Sequence, residues 1–362
     1  MVLGSKKVLG MGVAALGVSA LALTSTPAVA ARPQAGISIS GAGSTFVAPI
    51  MNGSWIKGYQ AKSSGVTIDY QPTGSGAGIS LWTKGQTDFA GSDALLNSVQ
   101  DNAAKNQCHG GIGGGVFKIP VTIGAVALIY NLPGVTNLKL TPGVIAQIFL
   151  GQIKTWNDEQ VKKLNPGVNL PSTPVQIVHR ADGSGTTYIF SHYLSATSSI
   201  WTSQVGKGGA TIAWPTGTGA TGSSGVTQAV QGQPGAISYV DLAYAISAKV
   251  SYATVQNKAG QYLAPSVNAA SVAADGYASQ MPADLQQLIV NSPSKAAYPI
   301  SGYSYIFMCT NQRSPKGQAL VNFVRYVVTT GQSAASQLYY APLPKSVQKL
   351  DTNALDKITI KR

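Results

Sequence analysis

The sequence predicts an α/β protein of about two domains, with mixed, mostly parallel sheets flanked by helices. Three observations point there. Short strand-like segments recur between helix-like stretches, Gly, Ser and Thr cluster where one gives way to the other, and 362 residues suffice for two cores. In such sheets ligands sit at the loops beyond the carboxyl ends of strands, where helices begin.

The chain opens with Lys6 and Lys7, an apolar run from Val8 to Leu23, and the small-residue stretch Thr24 to Ala30. A basic start, an apolar stretch and an A-x-A site ending at Ala30 read as a secretory signal over residues 1–30. The run is shorter than the ~20 residues that span a bilayer. No cysteine stands near the site to carry a lipid anchor, so the expected product is an exported protein of 332 residues.

Strand-like Ile37-Ser38-Ile39 leads into a first polar cluster, Gly41-Ala42-Gly43-Ser44-Thr45-Phe46, ahead of Ala48-Pro49. Ser and Thr followed by Pro mark a helix start, whose free N–H groups suit an anion or serve as an ordinary cap. Strand-like Val66–Tyr70 precedes a second, Thr73-Gly74-Ser75-Gly76-Ala77-Gly78, which lacks the dinucleotide spacing and reads as an N–H nest around Ser75. In a third, Thr87 to Asp93, the carboxylate of Asp93 either caps the next helix or accepts the hydrogen of a protonated anion. Phosphate near neutral pH has such a hydrogen and sulfate has none.

Further along, Ile119–Tyr130 reads as a strand, Pro142–Leu150 and Asp158–Leu164 as helices, and Val175–His179 as a strand. The fourth and densest cluster follows, His179-Arg180-Ala181-Asp182-Gly183-Ser184-Gly185-Thr186-Thr187, ahead of helix-like Tyr188–Leu194. It joins a guanidinium suited to oxyanions with a carboxylate, hydroxyl donors and glycines at a helix N-terminus. Ile237–Val240 and Tyr303–Cys309 then read as strands, and Ala283–Val290 and Gly317–Thr329 as helices.

Composition excludes several classes. Only 10% of residues are charged, which rules out charge-driven disorder. The net charge of +13, or +11 once Lys6 and Lys7 are removed, is spread thinly and shows no basic stripe interleaved with aromatics, so nucleic-acid binding is not expected. The three histidines show no metal-ligand spacing and no Gly-x-Ser-x-Gly elbow surrounds a candidate serine, so neither a metal site nor hydrolase chemistry is supported. His179 reads as a hydrogen-bonded structural residue. Trp55, Trp82, Trp156, Trp201 and Trp214 form no sugar-stacking ladder and read as packing residues. Two cysteines allow one disulfide, Cys108 to Cys309, or two buried thiols.

Gly41 to Phe46, Asp88 to Asp93, Ile148 to Trp156, Leu164 to Gly167, Arg180 to Thr186 and Pro234 to Val240 together resemble the phosphate-binding proteins of bacterial high-affinity phosphate ABC importers, a type II periplasmic binding protein family. The resemblance spans most of the mature chain. It implies a two-lobed Venus-flytrap fold, with residues 31–118 and 300–362 in one lobe, 119–299 in the other, and phosphate in the cleft between them. It implies donation by Thr45, Phe46, Ser75, Ser184, Gly185 and Thr186, a hydrogen-accepting Asp93, and Arg180 as main cation paired by Asp182. By the same resemblance Cys108 and Cys309 share a lobe, the partners are a permease and an ATPase, the location is the periplasm, and the protein is a monomer without cofactor. A secreted phosphatase or esterase, a sugar or peptide binder, and a phosphate scavenger or sensor uncoupled from transport are the competing readings.

Overall fold

The computed structural model describes Met1, residues 36–112 and residues 114–362. The export signal expected over residues 1–30, with its cleavage site at Ala30, lies outside the described residues apart from Met1. Among the described helices none is long and apolar enough to cross a membrane.

Within the compact unit Gly36–Arg362, nine strands form one sheet. They are β1 (Ile37–Gly43), β2 (Val66–Gln71), β3 (Phe89–Ser92), β4 (Val116–Tyr130), β5 (Gln176–Arg180), β6 (Thr218–Ala220), β7 (Ala236–Asp241), β8 (Ser251–Tyr252) and β9 (Ser301–Cys309). Their order is β2-β1-β3-β9-β4-β7-β5-β6, with β8 also paired to β4. The parallel pairs expected from sequence form the two ends, β2-β1-β3 and β7-β5-β6. The centre is antiparallel, because β4 and β9 run through it side by side.

The centre turns on β4. Its first part, Val116–Ala125, pairs with β9, and Val126–Tyr130 pairs with β7. From Ile119 onward every residue of β4 is buried, so its sequence is an apolar run, interrupted only by Thr122 whose hydroxyl donates to Ala341 O, without the in-out alternation of a half-exposed strand. Helix Ser75–Thr83 packs against β1 and β3. Gly78 permits the contact, since a Cβ there would sit 2.3 Å from the Cα of Gly43.

Most helix signals are realised within a residue or two. Thr141 caps Pro142–Phe149, Asp158 caps Glu159–Leu164, and Lys316–Val328 forms as expected. Tyr188–Leu194 lies inside a longer helix, Gly185–Thr197, that starts in the glycine loop itself with Ser184 as its cap. The helix expected over Ala283–Val290 does not form. Leu285 takes a left-handed φ of 60°, the N–H of Gln286 donates to Asp284 Oδ1, and that of Gln287 donates to the Tyr305 hydroxyl. One local side-chain acceptor, Asp284, and one from β9, Tyr305, have replaced the helical ladder.

Cys108 and Cys309 form a disulfide that ties helix Ser98–Ile112 to the end of β9, which removes the reading of two separate thiols. Trp55, Trp82, Trp156 and Trp201 are buried, and the indoles of Trp55 and Trp156 donate to the carbonyls of Gly331 and Gly235.

One buried group works against stability. Asp351, in helix Lys345–Leu355, is fully buried, and neither carboxylate oxygen has a hydrogen-bond partner among the described residues. Burial pushes its pKa well above the usual carboxylate range. An acid raised on folding lets the native state bind the extra proton, so its contribution to stability falls as pH rises above the ordinary value of about 4. Asp351→Leu is therefore expected to stabilise the protein by about 1–3 kcal/mol at pH 7, with a smaller gain at pH 4. Urea unfolding at the two pH values measures this, and a loss of stability at pH 7 would contradict it.

Candidate functional site

Four loops meet at the carboxyl ends of β1, β3 and β5 and at the start of helix Ser75–Thr83. They are the four polar clusters of the sequence. The N–H of Gly76 donates to Gly183 O at 2.8 Å, joining the second cluster to the fourth. Ser75 Oγ accepts from the N–H of Gly185 at 3.1 Å and that of Asp93 at 3.3 Å, joining the second, third and fourth. Thr45 Oγ1 is hydrogen-bonded to Ser223 Oγ at 2.9 Å and accepts from the Ser223 N–H, linking the first cluster to the start of helix Gly222–Gly232.

The nine predicted binding residues thus converge. Thr45, Ser75, Asp93, Arg180, Ser184 and Thr186 are all buried. Phe46 is buried too, its carbonyl accepting from the Tyr340 hydroxyl at 2.6 Å. Ser184 Oγ accepts from the Thr187 N–H as the helix cap, which leaves its hydrogen free to donate. Thr186 Oγ1 is buried without a partner among the described residues. At Gly185 a Cβ would fall 2.3 Å from Asp93 Oδ2 and 2.7 Å from Ser75 Oγ, so the close approach of these loops requires glycine there.

Two carboxylates occupy the site in different electrostatic states. Asp93 caps no helix, since the next one begins at Ser98, and it turns instead into the site. Ser44 Oγ donates to it from 2.6–2.8 Å and Ser304 Oγ donates to its Oδ1 at 2.6 Å. Burial raises its pKa to about 6, against the opposing pull of those hydroxyls and of Arg180. Asp182 is only partly exposed. Burial raises its pKa as well, but its bonds to Arg180 prevail and hold it below the usual value.

Arg180 is almost fully buried at the end of β5 and grips Asp182 with two bonds, Nε to Oδ1 at 2.7 Å and Nη2 to Oδ2. The N–H of Gly222 also donates to Asp182 Oδ1, at 3.0 Å. The guanidinium keeps donors beyond those two. His179, beside it, stacks on the half-buried Trp214 with ring centroids 5.1 Å apart, and its Nδ1 lies 3.1 Å from the Arg180 carbonyl.

Sequence reading missed Ser44, Ser223 and Ser304 as members of the site. Ser44 and Ser223 stand in the same Gly-Ser helix-start context as Ser75 and Ser184, a signal available at both. Ser304 lies within a buried strand and has no such mark. Among the described residues no group of three or more His, Cys, Asp or Glu is placed to hold a metal ion. The site is instead an enclosure of N–H and hydroxyl donors with one buried cation and one buried acceptor.

The PBP superfamily domain matches residues 28–330. The phosphate-binding protein PstS of Xylella fastidiosa (strain Temecula1 / ATCC 700964) is 38% identical over 336 residues, covering 92% of this chain and 88% of its own. That of Methanocaldococcus jannaschii is 35% identical, covering 84% and 82%. Among solved structures, a high-affinity periplasmic phosphate-binding protein bound with phosphate, PfluDING, aligns over 89% of this chain and 99% of its own with a TM-score of 0.71 and 19% identity. At that identity the likeness speaks for the fold alone.

Proposed function

Because the chain belongs to the PBP superfamily and, within it, to the PstS phosphate-binding proteins, we propose that it captures inorganic phosphate outside the cytoplasmic membrane and delivers it to an ABC importer. The observation that carries this reading is the buried pair of opposite functions, Arg180 as cation and Asp93 as acceptor, within one shell of neutral donors. A site for any small anion would need the cation and the donors. Only one for a protonated anion gains from a buried carboxylate.

In this reading Arg180 neutralises the phosphate, oriented by Asp182. The hydroxyls of Thr45, Ser75, Ser184 and Thr186 and the N–H groups of Phe46 and Ser75 donate to its oxygens, and the Gly185 N–H exchanges Ser75 Oγ for the ligand. Asp93 takes the remaining phosphate hydrogen. Sulfate would set an oxygen lone pair against the same carboxylate, an unpaired buried acceptor that costs about 1–3 kcal/mol or more. Two lobes, residues 31–118 with 300–362 and residues 119–299, would close over the ligand by bending where β4 passes between them and where the chain returns just ahead of β9. A permease and an ATPase would receive the phosphate, with the binding protein acting as a monomer without turnover.

Isothermal titration tests the chemistry. Phosphate is expected to bind about 30- to 150-fold more tightly than sulfate, the ratio that about 2–3 kcal/mol produces. In Asp93→Asn that preference should shrink at least about tenfold, since the amide has lost the charge that repels sulfate. Equal binding of the two anions by the unaltered protein would overturn the reading of Asp93.

A further inference from the structure

A second buried acid stands close to the site and takes no part in the shell described above. Asp241 ends β7 directly opposite Val126, the residue at which β4 exchanges β9 for β7 as its partner. The carboxyl is 1% exposed, and its Oδ2 has no hydrogen-bond partner among the described residues. Oδ1 accepts from the Tyr244 N–H at 3.3 Å and lies 3.5 Å from the Tyr340 hydroxyl. That hydroxyl is committed elsewhere, because its single hydrogen goes to Phe46 O at 2.6 Å.

Two oxygens therefore face each other with the tyrosine hydrogen already used. If Asp241 were ionised, a buried charge would look at the lone pairs of Tyr340, satisfied at Oδ1 only by the Tyr244 N–H at 3.3 Å and at Oδ2 by nothing among the described residues. If Asp241 keeps its proton, its O–H donates to Tyr340 and the chain of bonds Asp241 to Tyr340 to Phe46 O runs in one direction. Phe46 is seated at the same place from the other side. Its ring fills the space over Gly124 on β4, where a Cβ would meet Phe46 Cε1 at 2.2 Å, and it packs edge-on against Tyr340 with centroids 6.2 Å apart.

We propose that Asp241, held as a neutral acid, is a positioning residue that acts through Tyr340 to fix the Thr45–Phe46 loop against β4, and that its ionisation releases that loop and weakens anion binding. The inference rests on the reading of this site as a phosphate site. Burial raises the Asp241 pKa well above the usual carboxylate range against the pull of the backbone N–H groups of Tyr244 and of Asp241 itself, the charge of Asp93 adds to the rise, and Arg180 opposes it. The titratable groups around it are Asp93, Arg180, Tyr244 and Tyr340. Asp93, at about 6, is ionised throughout the alkaline range, so a change above neutrality does not arise from it.

Phosphate titrations at pH 7 and pH 9.5 on the unaltered protein, Asp241→Asn and Tyr340→Phe test this. The amide introduced by Asp241→Asn can donate to Tyr340 as the acid does but cannot ionise. Asp241→Asn is therefore expected to match the unaltered protein within threefold at pH 7 and to bind at least about fivefold more tightly than it at pH 9.5. Tyr340→Phe should lose about 3- to 10-fold in affinity at pH 7, the effect of one hydrogen bond. It should also make the protein indifferent to Asp241→Asn when the two are combined. Identical affinity ratios between pH 7 and pH 9.5 for the unaltered protein and Asp241→Asn would overturn the proposal, as would full affinity in Tyr340→Phe. Failure of the unaltered protein to bind phosphate at pH 7 would instead remove the phosphate reading itself.

Discussion

Arg180→Ala is expected to lower phosphate affinity by about 3–5 kcal/mol, some 10²- to 10⁴-fold, with the protein still folded. The size follows from position. The guanidinium is 4% exposed, so its interaction with an anion in the same enclosure is little screened by water. Its planar fork holds Asp182 through two nitrogens and keeps further donors for the ligand. Removing it deletes the cation and also leaves Asp182 as an uncompensated negative charge beside the anion. Arg180→Lys restores the charge without the fork and should recover only part of the loss. Titration calorimetry with a circular dichroism check on folding decides the matter, and affinity within threefold of the unaltered protein in Arg180→Ala would exclude Arg180 from the site.

Much of this arrangement is visible in sequence because anion sites of this kind are built from local features. A strand that ends in Gly-Ser-Thr and opens a helix presents backbone N–H groups whatever the rest of the chain does. Three such turns, at Gly41 to Phe46, at Ser75 and at Arg180 to Thr186, and the carboxylate of Asp93 after a fourth strand could be found one at a time, and the family resemblance supplied their roles. The long-range partners could not be found that way. Ser304 reaches Asp93 only because β9 lies antiparallel to both β3 and β4, and the β9–β4 register shifts between Ser304 and Tyr305. Tyr340 and Asp241 are remote in sequence from Phe46, and neither lies in a cluster that attracts notice.

The same limit explains what local reading could not place. Alternating strands and helices suggested mixed, mostly parallel sheets, but not that the two strands β4 and β9 make the centre antiparallel. Residues Ala283–Val290 have helical composition, but Leu285 turns left-handed and the Tyr305 hydroxyl takes up the Gln287 N–H. Both outcomes depend on contacts between distant segments, which propensity does not encode.

Removal of the disulfide, by Cys108→Ala with Cys309→Ala, is expected to separate stability from binding. The bond joins residues 201 positions apart. A cross-link over so long a loop removes chain entropy from the unfolded state worth about 5 kcal/mol in the loop-closure treatment. For a chain of this size that corresponds to a fall in melting temperature of about 5–10 °C. Alanine is the appropriate replacement, because Cys108 is buried and a serine there would add an unsatisfied hydroxyl to the loss. Binding should be spared. Cys309 stands five residues beyond Ser304 along β9, roughly 17 Å from the carboxylate shell at strand spacing, and none of the nine site residues lies beside it. Calorimetric melting with and without phosphate measures both quantities. Equal melting temperatures for the two proteins would show that the cross-link adds nothing to stability, whereas a loss of phosphate affinity beyond threefold would show that the bond holds the site in shape and does more than restrain the unfolded chain.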